Sequence, residues 1–414
     1  MNNHRNITKQ IRSALKSNDP YRLASIFTLS SIDLSTFFAN NNNNSSNSNN
    51  NTRYNEKVMD SNGIDWSNVV NSFLEATDDA EAGDAIKIFQ SHSTLHSNLN
   101  HIISSSPGNT LIPLLHTICN NTYQTAILAD TQHAMSKGRN DHSRLNAAVT
   151  LLQESFSKTL NDRKELIVDS PLSESGSKKI GVLYIVNLLF AMYFRLNTLR
   201  LCKNLLRPVE TRNLHKSGDM GDMVTYKYYV GRLHMFEDNY SEAEENLDYA
   251  LLHCHKNAIG NKRRILNYLI PVKLVGGRLP TVKLLEKYNL REYIPLVVAI
   301  QRGDLRLFND TLWKYQDKFI RRGTYLLFEK CKTVCHRNLF KRVFMILEKH
   351  QVPLDNVVNA MKWLGLDIDL DEVECILANL IFKKYVRGYI SHSKRVLVLS
   401  KKDPFPKSVI VKKY

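Results

Sequence analysis

Residues 354–400 read LDNVVNAMKWLGLDIDLDEVECILANLIFKKYVRGYISHSKRVLVLS. Val357, Val358, Met361 and Leu364 recur at helical spacing, and Asp355 stands where an N-cap is expected. Asp369, followed three residues on by Glu372, has the form of a capping box. The helix it opens buries Val373, Ile376, Leu377, Leu380 and Ile381 on one side. The period then shortens to two. Val386, Tyr389 and Ile390, then Val396, Val398 and Leu399, flank the polar turn Ser391-His392-Ser393-Lys394. Two helices closed by a hairpin predict a winged helix over residues 353–402.

Charge suggests what that unit is for. Lys383, Lys384, Arg387, Lys394, Arg395, Lys401 and Lys402 crowd the hairpin in sequence, and Asp403 is the first acid after them. Grouped cations on a helix end and a wing suit a phosphate backbone, although any single lysine is ordinarily just a solvated surface residue. Arg337, Lys341 and Arg342 form a second basic set, preceded by Lys330 and Lys332. Arg337 and Lys341, four apart, share a helix face. If that face adjoins the winged helix, the two sets line one groove. Tyr385 and Tyr389 are either core residues of the wing or exposed rings that meet a protein neighbour.

The chain has 414 residues, 43% of them hydrophobic, and a formal net charge of +16. It is long enough for more than one domain. Residues 251–414 hold 32 Lys+Arg against 14 Asp+Glu, whereas residues 1–250 hold 24 against 26. The basic character thus belongs to the C-terminal part and favours an anionic partner there. Six cysteines scattered through apolar patterns give no disulfide framework and point to a reducing compartment. The polar start Met1-Asn2-Asn3-His4-Arg5 lacks a signal core, and the uncharged run Ile180 to Phe194 is too short to span a bilayer. These features read as a soluble intracellular protein.

Outward from the winged helix, the remainder reads as mostly α. Residues 1–38 form N-terminal helices, 39–61 an Asn/Ser-rich disordered linker, and 62–178 N-terminal helical repeats. Residues 179–352 form denser repeats, and 403–414 a basic tail after the winged helix. Within 225–253, Gly231, Ala243, Leu247 and Ala250 let two antiparallel helices approach closely, as in tetratricopeptide repeats. Further helices are expected at Arg263–Val272, bent or ended by Pro271, and at Val282–Tyr288, Tyr293–Arg302 and Leu305–Phe319. Tyr325–Lys332 and Asn338–Lys349 follow, running into the winged helix without a linker.

No catalytic constellation stands out, and the chain reads as a non-enzyme without a cofactor. Cys331, Cys335 and His336 lack a matching second pair for zinc and read as core. Asp367, Asp369, Asp371, Glu372 and Glu374 read as partners of a helix dipole, with no glycine placed for a calcium loop. Gly276-Gly277 is not followed by the Lys-Ser/Thr of a phosphate loop.

A helical-repeat stack ending in a winged helix resembles the PCI domain. Tyr226-Lys227-Tyr228-Tyr229-Val230-Gly231-Arg232, Tyr268-Leu269-Ile270-Pro271-Val272-Lys273, Arg337-Asn338-Leu339-Phe340-Lys341, Cys375-Ile376-Leu377-Ala378-Asn379-Leu380-Ile381 and Gly388-Tyr389-Ile390-Ser391-His392 narrow the resemblance. Over roughly residues 180–410 they resemble the PCI domain-containing protein two family, the PCI subunits of the nuclear transcription-export complex, similar also to signalosome subunit-twelve-like proteins. The resemblance implies a nuclear adaptor, at the pore with a cytoplasmic pool, coupling transcription to mRNA export. It also implies partners: a large mRNA-export scaffold protein, a small acidic protein that braces the PCI domain, and RNA or DNA on the basic surface. The alternative is a purely architectural PCI subunit of a proteasome-lid- or signalosome-like assembly.

Overall fold

The computed structural model describes residues 2–28, 57–60, 62–138, 141–167, 172–216 and 218–406. The Asn/Ser tract at 40–51 and the tail from 407 lie outside them. Residues 1–229 and 230–414 form two compact units, a coarser division than the six segments drawn from sequence.

In the first unit, α1 (Asn2–Ser17) and α2 (Pro20–Ile26) bury Ile11, Leu15, Leu23 and Phe27. Asp19 caps α2 by accepting from Arg22 N at 3.0 Å, and Pro20 opens the helix where its missing N–H is harmless. Then α3 (Ser67–Ala82), α4 (Ala85–Ser105), α5 (Ile112–Lys137), α6 (Ser143–Leu160), α7 (Val182–Arg195) and α8 (Cys202–Thr211) follow. Each of α3 to α7 packs on the next, and α2 packs on α5. A polar set inside this stack is satisfied internally. His96 Nδ1 lies 2.9 Å from Thr122 Oγ1 and its Nε2 2.7 Å from Ser155 Oγ. Burial holds that imidazole neutral, pulling its pKa down to about 3.

Helix α9 (Met220–Phe236) carries the chain into the second unit. There it meets α10 (Tyr240–His253), and the close approach read from sequence is present. A Cβ on Gly231 would lie 2.7 Å from Leu247 Cγ and 3.1 Å from Ala243 O. Next come α11 (Ile259–Val275), α12 (Val282–Lys287), α13 (Ile294–Arg302), α14 (Leu305–Lys314), α15 (Gln316–Arg322) and α16 (Tyr325–Leu347).

Three expectations need correction. Pro271 does not end its helix, since α11 continues to Val275. A proline there leaves the Asn267 carbonyl without its helical donor, and Tyr293 Oη donates to that carbonyl at 3.3 Å instead. The expected single helix 305–319 breaks at Tyr315, which turns Phe319 inward to meet Phe328 at 4.5 Å. Conversely, the two helices expected across 325–349 are one, because residues 333–337 contain neither Gly nor Pro and bury Val334 and Cys335.

The winged helix is β1 (Gln351–Pro353), α17 (Leu354–Trp363), α18 (Leu370–Phe382), β2 (Gly388–Ser391) and β3 (Val396–Leu399). Its sheet has the order β1-β3-β2 with both pairings antiparallel, so a strand joins the expected hairpin. The unit packs on α16 through both of its helices.

Candidate nucleic-acid interface

The winged helix is locked at both helix ends. Asp355 does not cap α17: Pro353 holds the N-cap position and Asp355 lies within the first turn. The Leu354 N–H instead donates to Arg395 O at 3.0 Å, tying the helix start to the hairpin. The Asp369–Glu372 capping box is present in both directions. At the far end of α18, Lys384 is left-handed at φ 61°. Its N–H donates to Ile381 O at 2.9 Å and that of Tyr385 to Leu380 O at 2.8 Å, a Schellman closure. Tyr385 is buried and its hydroxyl donates to Val275 O, the last carbonyl of α11, at 3.2 Å. Tyr389 is 63% exposed, so the two wing tyrosines part company.

Strand register divides the basic cluster. With Gly388 opposite Leu399 and Ser391 opposite Val396, residues 383–387 and 400–403 gather at the open end of the hairpin, while 392–395 form its turn. Four residue pairs separate these ends by about 13 Å. At the turn, Arg395 Nη1 lies 2.6 Å from Asp371 and 2.9 Å from Glu374, and His392 Nδ1 lies 2.8 Å from Glu374. Two acids of α18 therefore hold the turn. Arg395 braces the turn through its Nη1, and Lys394 is the exposed cation beside it.

The open end is different. Lys383, Lys401 and Lys402 are exposed and make no ion pair among the described residues, and Lys384 is exposed beside them. Arg387 pairs with Asp403 at 3.4 Å, both side chains about half exposed. Ser400 N donates to Arg387 O and Arg387 N to Pro404 O, each at 2.9 Å, which sets Arg387 between the two flanking segments.

The second basic set meets this end through one residue. Arg337 Nη2 donates to Phe405 O at 2.9 Å and Pro406 O at 2.6 Å, and its Nη1 donates to Asn338 Oδ1 at 2.7 Å. Its guanidinium stands 5.9 Å from the Phe405 ring centre, and burial lowers its pKa from the ordinary value. Arg337 thus latches α16 to the segment that follows β3, with three of its five donors engaged there. Lys341, one turn along α16, is half-buried, and Arg342 is exposed.

The outer face of α18 is not basic. It shows Asp371, Glu372, Cys375, Ala378, Asn379 and Phe382, with Phe382 83% exposed. Trp363 at the end of α17 is 85% exposed. These rings were missed by sequence reading, because each lies within two residues of a buried leucine, Leu364 or Leu380. Cys331 and Cys335 are buried facing the carbonyls of Pro271 and Ala299, and burial raises both thiols from their ordinary range. Among the described residues no cluster suited to a metal ion occurs, and no helix is long and apolar enough to cross a membrane.

A winged helix seated on helical hairpins is the architecture of a PCI-domain protein. The family model described as PCI domain matches residues 312–401, and that described as PSMD3-like, N-terminal TPR repeats, matches residues 177–295. PCI domain-containing protein 2 of Xenopus laevis is 40% identical over 300 residues, covering 72% of this chain and 73% of that one. The chain belongs to the PCI domain-containing protein 2 family. Enhanced ethylene response protein 5 of Arabidopsis thaliana is 38% identical over 303 residues, 71% of this chain and 69% of its own. Protein CSN12 homolog of Neurospora crassa is 33% identical over 337 residues, 71% of this chain and 72% of its own.

Proposed function

We propose that the protein is a non-catalytic PCI adaptor subunit of the nuclear transcription-export complex and lends the open end of its winged helix to nucleic-acid binding in mRNA export. One observation carries the reading: Lys383, Lys384, Arg387, Lys401 and Lys402 converge there in exposed positions, with Asp403 the one acid of the two flanking segments 383–387 and 400–403. Such a cluster recognises phosphate with little regard to sequence. Its partners in this reading are a large mRNA-export scaffold protein, a small acidic protein bracing the PCI domain, and RNA or DNA. It works in the nucleus, at the pore, with a cytoplasmic pool.

The test is binding of labelled RNA and DNA by the full chain with Lys383, Arg387 and Lys401 changed to Glu. Affinity at low salt is expected to fall at least about thirtyfold with helicity retained. Unchanged affinity at matched salt contradicts the reading. A second reading rests on the exposure of Trp363 and Phe382: an architectural subunit of a lid- or signalosome-like assembly whose winged helix meets protein. Cross-linking of the native assembly through these two residues to a neighbouring subunit, without cross-links from the open end to RNA, supports it.

A further inference from the structure

We infer that the nucleic acid taken by the winged helix is single-stranded, with an unstacked base lying on the outer face of the three-stranded sheet against the Tyr389 ring. This rests on the proposed function and specifies its ligand.

Strand alternation fixes what that face presents. Val352, Leu397 and Ile390 stand opposite one another on the inner side, where Val352 and Leu397 are buried. The outer side therefore carries the row Gln351, Val398, Tyr389 and the row Pro353, Val396, Ser391. Tyr389 rises from this small apolar platform with no ring contact among the described residues. Arg387 lies two residues before it, and Lys401 and Lys402 follow the partner strand at the same end. Gly388 brings the strands together there: a Cβ would lie 2.3 Å from Val398 O. A solvent-facing ring on a sheet, flanked by cations, stacks bases while the cations track the backbone.

The duplex mode of a winged helix does not fit these surfaces. It would place α18 in a major groove between two phosphate strands. That helix presents Asp371 and Glu372 in its exposed first turn, preceded by Asp367 and Asp369. The turn that would ride the neighbouring groove has Arg395 and His392 held by Asp371 and Glu374. Lys383, Lys401 and Lys402 offer exposed charge at the open end, where the exposed ring is.

The sign of the preference makes the inference testable. A duplex has the denser phosphate charge, so a purely electrostatic surface binds duplex more tightly than single strand. The experiment uses the full chain with a fluorescent twelve-nucleotide RNA, the matching DNA strand and the corresponding DNA duplex at one salt concentration. The variants are Tyr389→Ala, Tyr389→Phe and the double change Lys401→Glu, Lys402→Glu. Both single strands are expected to bind about tenfold tighter than duplex. Tyr389→Ala is expected to lose about tenfold on single strands alone, and Tyr389→Phe to keep it. A 2-aminopurine within the strand should lose fluorescence on wild-type protein and keep it on Tyr389→Ala. Equal or tighter duplex binding, or single-strand affinity unchanged in Tyr389→Ala, overturns the inference while leaving a phosphate-binding surface, provided the lysine change still weakens binding. No binding of any strand by a folded chain overturns the proposed function with it. Wild-type strand binding by Tyr389→Ala together with a lost protein cross-link assigns the face to a protein and overturns the inference.

Discussion

The two ends of the β2–β3 hairpin carry cations that are neighbours in sequence, yet their surroundings are opposite. At the turn, Arg395 and His392 meet Asp371 and Glu374. At the open end, Lys383, Lys401 and Lys402 are exposed, and Asp403 pairs with Arg387. A charge run without an intervening acid describes order along the chain. Neutralisation happens in space, and here the acids come from the first turns of α18, more than twenty positions upstream. The turn is a structural joint, and the open end is the surface with charge to offer.

The comparison sharpens with substitutions on either side of it. The largest effect on stability is expected from Arg337→Ala, which strips the latch from the Phe405 and Pro406 carbonyls. It should cost about 2–3 kcal/mol in urea unfolding, as hydrogen bonds from a charged donor are lost. Lys restores little of it, because an ammonium cannot reproduce the planar fork. Lys384→Gly comes next and acts in the opposite direction. Lys384 sits at φ 61° in a Schellman closure, so glycine should raise stability by about 1 kcal/mol while removing one open-end cation. The smallest effect belongs to Asp371→Asn combined with Glu374→Gln. Pairs at a partly exposed surface such as this contribute little to stability, but releasing Arg395 should raise RNA affinity about twofold to threefold. A loss of RNA affinity there would mean that the turn must be braced for binding.

How much of this was legible in the sequence differs by element. The two helices of the winged helix, the Asp369–Glu372 box and the small residue at Gly231 are local signals, and the structure carries them as read. Strand β1 was not legible, because Gln351-Val352-Pro353 offers one buried residue and no run of alternation. Pro271 misled for a physical reason: Tyr293 supplies a donor that only the folded unit can bring. Among the candidate site residues, the structural contacts of Arg395 and Arg337 were not legible, because their partners are 24 and about 70 residues away. Sequence patterns report which residues share an element. They do not report which charges another element cancels.

The most direct test sets the two ends against each other in one titration. RNA binding by the full chain is measured across salt for wild type, for an open-end variant (Lys383→Glu, Lys401→Glu, Lys402→Glu) and for a turn variant (Lys394→Glu, Arg395→Glu). On single strands each phosphate contact contributes about 0.7 to the slope of log affinity against log salt. The open-end variant is expected to lower the magnitude of that slope by about 2, and the turn variant to change it by less than about 1. Equal losses from the two variants, or a larger loss at the turn, would contradict the division of labour between them.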